Sequence, residues 1–167
     1  GLEPSDASSR TELERLADAL DRWSEVAGLY RYVLALDEHD NESLQTDSLV
    51  VRLTDTADEN IVVRRLAEIY EAQLSDFPKA IECYQKALRF DPQDLFVVEA
   101  LERLFARQQD WNALLEVKIS KLEMTWEPEP KALLLEQICQ LLCEELDRSQ
   151  DAISYYSDLL ELQENNR

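Results

Sequence analysis

Apolar side chains recur along this chain in steps of three and four, interrupted by short polar breaks. Such steps place the apolar set on one face of an α-helix. The first run is Leu13, Leu16, Ala17 and Leu20, starting from Thr11, with Ser8, Ser9 or Thr11 placed to cap it. After a break at Asp21 and Arg22, a second run passes through Trp23, Val26, Ala27, Tyr30, Val33 and Leu34 and ends near Leu36. Residues 61–92 hold the clearest pair. Val63, Leu66, Ala67 and Tyr70 come first, residues 75–77 and Pro78 make a break, and Ala80, Ile81, Tyr84, Ala87 and Leu88 follow. Asp91 and Pro92 stop the second helix, because proline pushes its predecessor out of the helical region. Leu95, Val98, Leu101, Leu104 and Phe105 mark the next helix, with Asp94 as its cap and a break near Gln109 and Asp110. Trp111, Leu114, Leu115, Val117, Leu122 and Met124 mark another, closed by the proline-bearing connection TWEPEP at 125–130. Leu133, Leu134, Ile138, Cys139, Leu141, Leu142 and Leu146 give a seventh. Asp151, Ala152, Ile153, Tyr156, Leu159, Leu160 and Leu162 give an eighth, and the polar tail ENNR is expected to fray.

Two stretches stand outside this rhythm. Residues 1–10, GLEPSDASSR, are small and polar without periodicity and read as a disordered lead. Residues 37–60 flank an apolar centre, SLVVRL, with acidic turn formers. That centre fits a short strand, a helix from about 42 to 53, or the start of a helix running into residue 61. A lone strand is not stable, so the short helix is favoured, with a loop at 54–59 and the whole insert irregular. The remainder, 11–167, reads as a single all-α repeat domain: an α-solenoid of about four antiparallel hairpins, near 11–36, 61–91, 94–124 and 131–163.

The hairpins repeat internally. Residues 133–162 overlay 61–90 without a gap at an offset of 72, carrying Ala80 onto Ala152, Ile81 onto Ile153 and Tyr84 onto Tyr156. Trp23 overlays Trp111 at an offset of 88, carrying Leu34 onto Leu122. Two kinds of hairpin therefore alternate. Units that cannot bury their own apolar face must stack on neighbours.

The spacing of Val63, Leu66, Ala67, Tyr70, Ala80, Tyr84, Ala87 and Pro92 resembles the tetratricopeptide repeat. Val63 stands where that unit usually has Trp, and the first helix or its turn is one residue longer. The alternation of hairpins resembles long bacterial proteins of the same family. The resemblance implies a right-handed superhelix whose concave groove, lined by first helices, binds a peptide or protein segment. Carried over by position, the groove residues are Arg64, Glu68 and Glu71, then Phe96, Glu99, Arg103 and Arg107, then Glu136, Gln140 and Cys143. Arg64, Arg103 and Arg107 suit a carboxylate-bearing peptide, or else pair with nearby acids to hold the stack. In the family's carboxylate-clamp subclass Arg64 takes one Lys position, but Glu68 stands where Asn is needed, so clamp activity is not expected. The Trp-opened helices are also similar to half-a-tetratricopeptide repeats of RNA-processing scaffolds. A third reading is a structural segment that self-associates through the solenoid ends.

Composition narrows the choice. Acidic residues outnumber basic ones by 36 to 17, a net charge of −19 that repels nucleic acid and anionic membrane. No apolar run approaches the length of a membrane span, so membrane insertion is not expected. Cys83, Cys139 and Cys143 make an odd count without paired spacing and read as small core thiols in a reducing, cytoplasmic setting. The one histidine, His39, is far from them, so neither a metal site nor a cofactor is expected, and no catalytic motif appears. The chain opens on Gly1 and not Met, which fits an excised fragment. Trp126, in the TWEPEP connection, either anchors a partner or folds back over a helix end.

Overall fold

The computed structural model describes residues 7–34 and 56–165, in eight α-helices and no strand. They are α1 Ala7–Leu20, α2 Trp23–Val33, α3 Thr56–Ala72, α4 Phe77–Phe90, α5 Leu95–Gln108, α6 Trp111–Met124, α7 Pro128–Glu144 and α8 Ser149–Asn165. The chain divides into two compact units, Gly1–Pro92 and Gln93–Arg167. In the first, α1 packs on α2, α2 on α3 and α3 on α4. In the second, α5 packs on α6, α6 on α7 and α7 on α8. The alternative conformations of 37–53, Leu36 and His39 lie outside the described residues, and α2 ends at Val33 with Leu34 as its cap, short of the expected Leu36.

Three boundaries differ from the apolar pattern. Helix α1 begins at Ala7, not Thr11, since no glycine or proline interrupts residues 7–10. Helix α3 begins at Thr56, inside the expected loop at 54–59. The Lys86 ammonium of α4 reaches Glu59 in the first turns of α3 at 2.9 Å. Helix α7 begins at Pro128, ahead of 131, because proline is suited to a first helical turn whose N–H has no partner. For the same reason Pro78 sits in the first turn of α4, not in the break, where the Asp76 carboxylate accepts from the Lys79 N–H at 3.3 Å. Asp94 caps α5 as expected, accepting from the Val97 N–H at 3.3 Å.

The turns show two hairpin types. The α1–α2 turn puts Asp21 at φ 53°, and the Arg22 N–H donates to the Ala17 carbonyl at 2.9 Å. Eighty-eight residues on, Gln109 has φ 59° and the Asp110 N–H donates to Phe105 at 3.0 Å. The α3–α4 turn is two residues longer. Ser75 has φ 54° and the Asp76 N–H donates to Tyr70 at 2.8 Å. Seventy-two residues on, Asp147 has φ 51° and the Arg148 N–H donates to Leu142 at 2.8 Å. A left-handed residue ending a helix satisfies its last carbonyls, and so short a link leaves only antiparallel packing.

Burial follows the same two registers. Val26, Ala27 and Tyr30 are the buried centre of α2, and Leu114, Leu115 and Lys118 that of α6. Helix α3 buries Val62, Val63, Leu66, Ala67, Ile69 and Tyr70, and α7 buries the same six positions 72 residues later. Each of these helices lies between two neighbours, which takes more than one apolar stripe. Leu133, expected in the core, is exposed for that reason, one step outside the six, while Leu135 is buried. Ala80 and Ala152 are both buried, but Ile153 and Tyr156 are open where Ile81 and Tyr84 are covered.

Candidate functional site

Each unit builds one polar cluster across three successive helices. In the first, the Tyr30 hydroxyl of α2 donates to the Glu14 carboxylate of α1 at 3.0 Å. The Arg65 guanidinium of α3 grips the same carboxylate with two N–H groups, at 2.8 and 2.7 Å, and also binds Glu68. A two-pronged Arg–carboxylate fork fixes orientation as well as charge. The hydrogen bonds that Arg65 donates to Glu14 raise it above its ordinary range, and burial followed by the Glu14 charge raises the Tyr30 phenol. In the second unit the Lys118 ammonium of α6 binds Glu102 of α5 and donates to the Gln137 side-chain carbonyl of α7 at 2.8 Å. Lys121 adds a bond to Glu102 at 2.9 Å and a longer one to Glu99 at 3.4 Å.

These are the same three positions: Glu14 and Tyr30 map to Glu102 and Lys118 at 88, and Arg65 maps to Gln137 at 72. The cation sits on the third helix in one unit and on the second in the other. Each cluster thus keeps a cation against its carboxylate. A buried charge is tolerated when so paired. Groups held in this way tie helices together.

The expected groove residues fall as follows. Arg64, Glu68 and Glu71 are half-buried on α3, and Phe96, Glu99, Arg103 and Arg107 lie exposed along one side of α5. Glu136 and Gln140 are exposed one turn apart on α7, with Cys143 half-buried beyond them. Arg64 and Glu68 come together with Arg10, Thr11, Glu14 and Ile61 around a cleft of about 340 Å³. Of its lining, Arg10, Glu14, Ile61 and Arg65 carry no signal in a pattern of apolar steps. Glu14 is recoverable only from its register with Glu102.

Groove positions make side-chain contacts within their own unit, Glu99 with Lys121 among them. Glu68 pairs with Arg65, Gln140 donates to Glu144 at 2.9 Å, and Glu71 accepts from the Tyr84 hydroxyl of α4 at 3.0 Å. The last is a hairpin clasp. Tyr84→Phe is expected to lower stability by about 1 kcal/mol, the usual worth of such a bond, with helicity unchanged. A shift in thermal midpoint checks it, and an unchanged midpoint would show that the clasp adds nothing.

Two of the thiols, Cys83 and Cys139, are buried. Burial raises Cys83 to about 11 and Cys139 above its ordinary value. Cys139 also donates to the Ala152 carbonyl of α8 at 3.8 Å. A thiol kept protonated is a poor nucleophile and a poor metal ligand. Among the described residues no group of three His, Cys, Asp or Glu side chains is placed to hold a metal ion. None of the described helices is long and apolar enough to cross a membrane.

No match is found among curated proteins. The stretch from the second turn of α3 to the start of α5, residues 63–96, matches the family model of the tetratricopeptide repeat.

Proposed function

We propose that the chain is a non-catalytic scaffold whose four hairpins wind as a right-handed superhelix and hold a peptide or protein segment along their first helices. The match over 63–96 carries this reading. Its first helix, α3, turns Leu66 and Ala67 inward and leaves Arg64 and Glu68 on a cleft wall. Helix α5 exposes Phe96, Glu99, Arg103 and Arg107, and α7 exposes Glu136 and Gln140. Helices stacked by repetition present such a row at regular spacing, which suits an extended segment better than a small molecule.

Affinities in the micromolar range, about −8 kcal/mol, would be ordinary for this kind of contact. The test is a peptide selection on the intact chain, followed by titration of the selected peptides against Arg103→Glu. Binding is expected to weaken about ten-fold, as reversal of an interface charge commonly does, with the circular dichroism unchanged. Peptides that bind the variant as tightly as the parent would place their site away from these positions.

A further inference from the structure

We propose that the cleft around Trp126, which shares Glu99 with the first-helix row, is a docking site for a cationic segment of another protein, seated by an apolar anchor. The inference extends the scaffold reading but places its anchor on a connection between hairpins, not on the first-helix row.

Trp126 is 88% exposed. A tryptophan so placed contributes little to the core, and its link is not loose. The Thr125 hydroxyl donates to the Lys121 carbonyl at 2.7 Å, and the Thr125 N–H donates to Leu122 at 3.2 Å. On the far side, Glu127 has an extended backbone and its carbonyl accepts from the Lys131 N–H at 3.1 Å, while Pro128 and Pro130 stiffen the first turn of α7. The indole is therefore presented from a three-residue link pinned at both ends. Rigid presentation lowers the entropy cost of binding.

Beside it opens a cleft of about 720 Å³, the size range of a site that takes a few side chains. Its apolar wall is Leu95, Met124, Pro130 and Leu133, and Leu95 and Leu133 are each more than half exposed. Exposed apolar surface gathered around a tryptophan is the usual make-up of a binding hot spot.

Charge selects the occupant. The wall carries Glu99, Glu123 and Glu127 against one lysine, Lys121. That ammonium is already bound by Glu99 and Glu102. Residues 93–167 as a whole hold sixteen acidic and seven basic residues, a net charge of −9. The local field attracts Lys and Arg and repels acidic segments and nucleic acid. An aliphatic or aromatic side chain would fill the cleft, and a neighbouring guanidinium would lie over the indole face, where cation–π attraction favours arginine.

The probe is a fluorescent, end-blocked hexapeptide alternating arginine and leucine, titrated into the whole chain by anisotropy at physiological salt. Trp126→Ala is expected to weaken binding about ten-fold, the scale of a lost hot-spot tryptophan. Glu123→Gln with Glu127→Gln should weaken it roughly three-fold, and Arg103→Glu should leave it within about two-fold. The same peptide with glutamate for arginine should not bind. Equal affinity for Trp126→Ala and the parent would overturn the site, since attraction to the acidic surface alone would then explain binding. So would a loss with Arg103→Glu as large as that with Trp126→Ala, or light-scattering dimers abolished by Trp126→Ala, which would make a second copy the occupant. Failure here leaves the first-helix reading standing, because its selected peptides are scored against Arg103 and not Trp126.

Discussion

Leu66→Ala is expected to cost the first unit about 3 kcal/mol, within the 2–5 kcal/mol range of buried leucine truncations. Leu66 is fully buried on α3, which packs on both α2 and α4. Its surroundings cannot close over the space it would leave. Ala67 beside it, and Ala80 and Ala87 on the facing helix, are buried and already as small as a side chain can be. They let the two backbones come close, and they have no reach with which to fill a void. A cavity that cannot collapse loses dispersion contacts as well as transfer energy. Leu88→Ala on α4 is the internal control. Leu88 falls on the same apolar stripe but is only half-buried, and its loss should cost less than about 1.5 kcal/mol. Urea midpoints followed by far-ultraviolet circular dichroism separate the two. A Leu66→Ala loss no larger than that of Leu88→Ala would mean that α3 is not held between its neighbours as described. Ile138 occupies the same position as Leu66 in the second unit, 72 residues on, so Ile138→Ala should behave alike.

That equivalence is legible in the amino-acid sequence itself. Trp23 with Trp111, and the Ala-Ile-x2-Tyr runs at 80–84 and 152–156, set the two registers. The turns, the buried triples of α2 and α6, and the six buried positions of α3 and α7 all obey them. Apolar periodicity works here because a helix facing one neighbour buries one stripe. It falls short for α3 and α7, each packed between two neighbours, where Val62, Ile69 and Leu135 are buried as well and Leu133 is exposed. The start of α3 at Thr56 also escapes it, because the Lys86 contact with Glu59 follows no apolar period. The positions expected to line a groove share a similar fate. Residue spacing says that Glu71 points off the hairpin face. It does not say that the Tyr84 hydroxyl, thirteen residues later, is long enough to reach it. Lys118 is the sharpest case. It sits in the middle of an apolar face, where a sequence pattern expects leucine or tyrosine, and is 8% exposed. Only the register with Tyr30 and the proximity of Glu102 explain a lysine there.

Glu102→Gln should therefore destabilise the second unit by about 2–3 kcal/mol at neutral pH, somewhat under the value for breaking a fully buried pair. The Lys118 ammonium would keep the Gln137 carbonyl but lose its counter-charge, and Lys121 would keep only its longer contact with Glu99. The double change Glu102→Leu with Lys118→Met should recover most of the loss, since it removes both charges and fills the same space. The pH dependence identifies the cause. Burial alone would raise the Glu102 carboxyl, but hydrogen bonds from Lys118 and Lys121, with their charges, outweigh it and hold the group below its ordinary value of 4.5. A carboxylate with a depressed folded-state pKa stabilises the fold above the unfolded pKa and loses that contribution as pH falls through the folded one. The gap between parent and Glu102→Gln should thus be constant near neutrality, begin to close below pH 4.5, and vanish once Glu102 is protonated in the folded chain. Denaturant midpoints of the two proteins, taken side by side from neutral to acid pH, measure it. A gap that stays open after acidification would mean that Glu102 acts through packing and not through its charge. The Lys118 position would then have to be explained by its aliphatic stem alone.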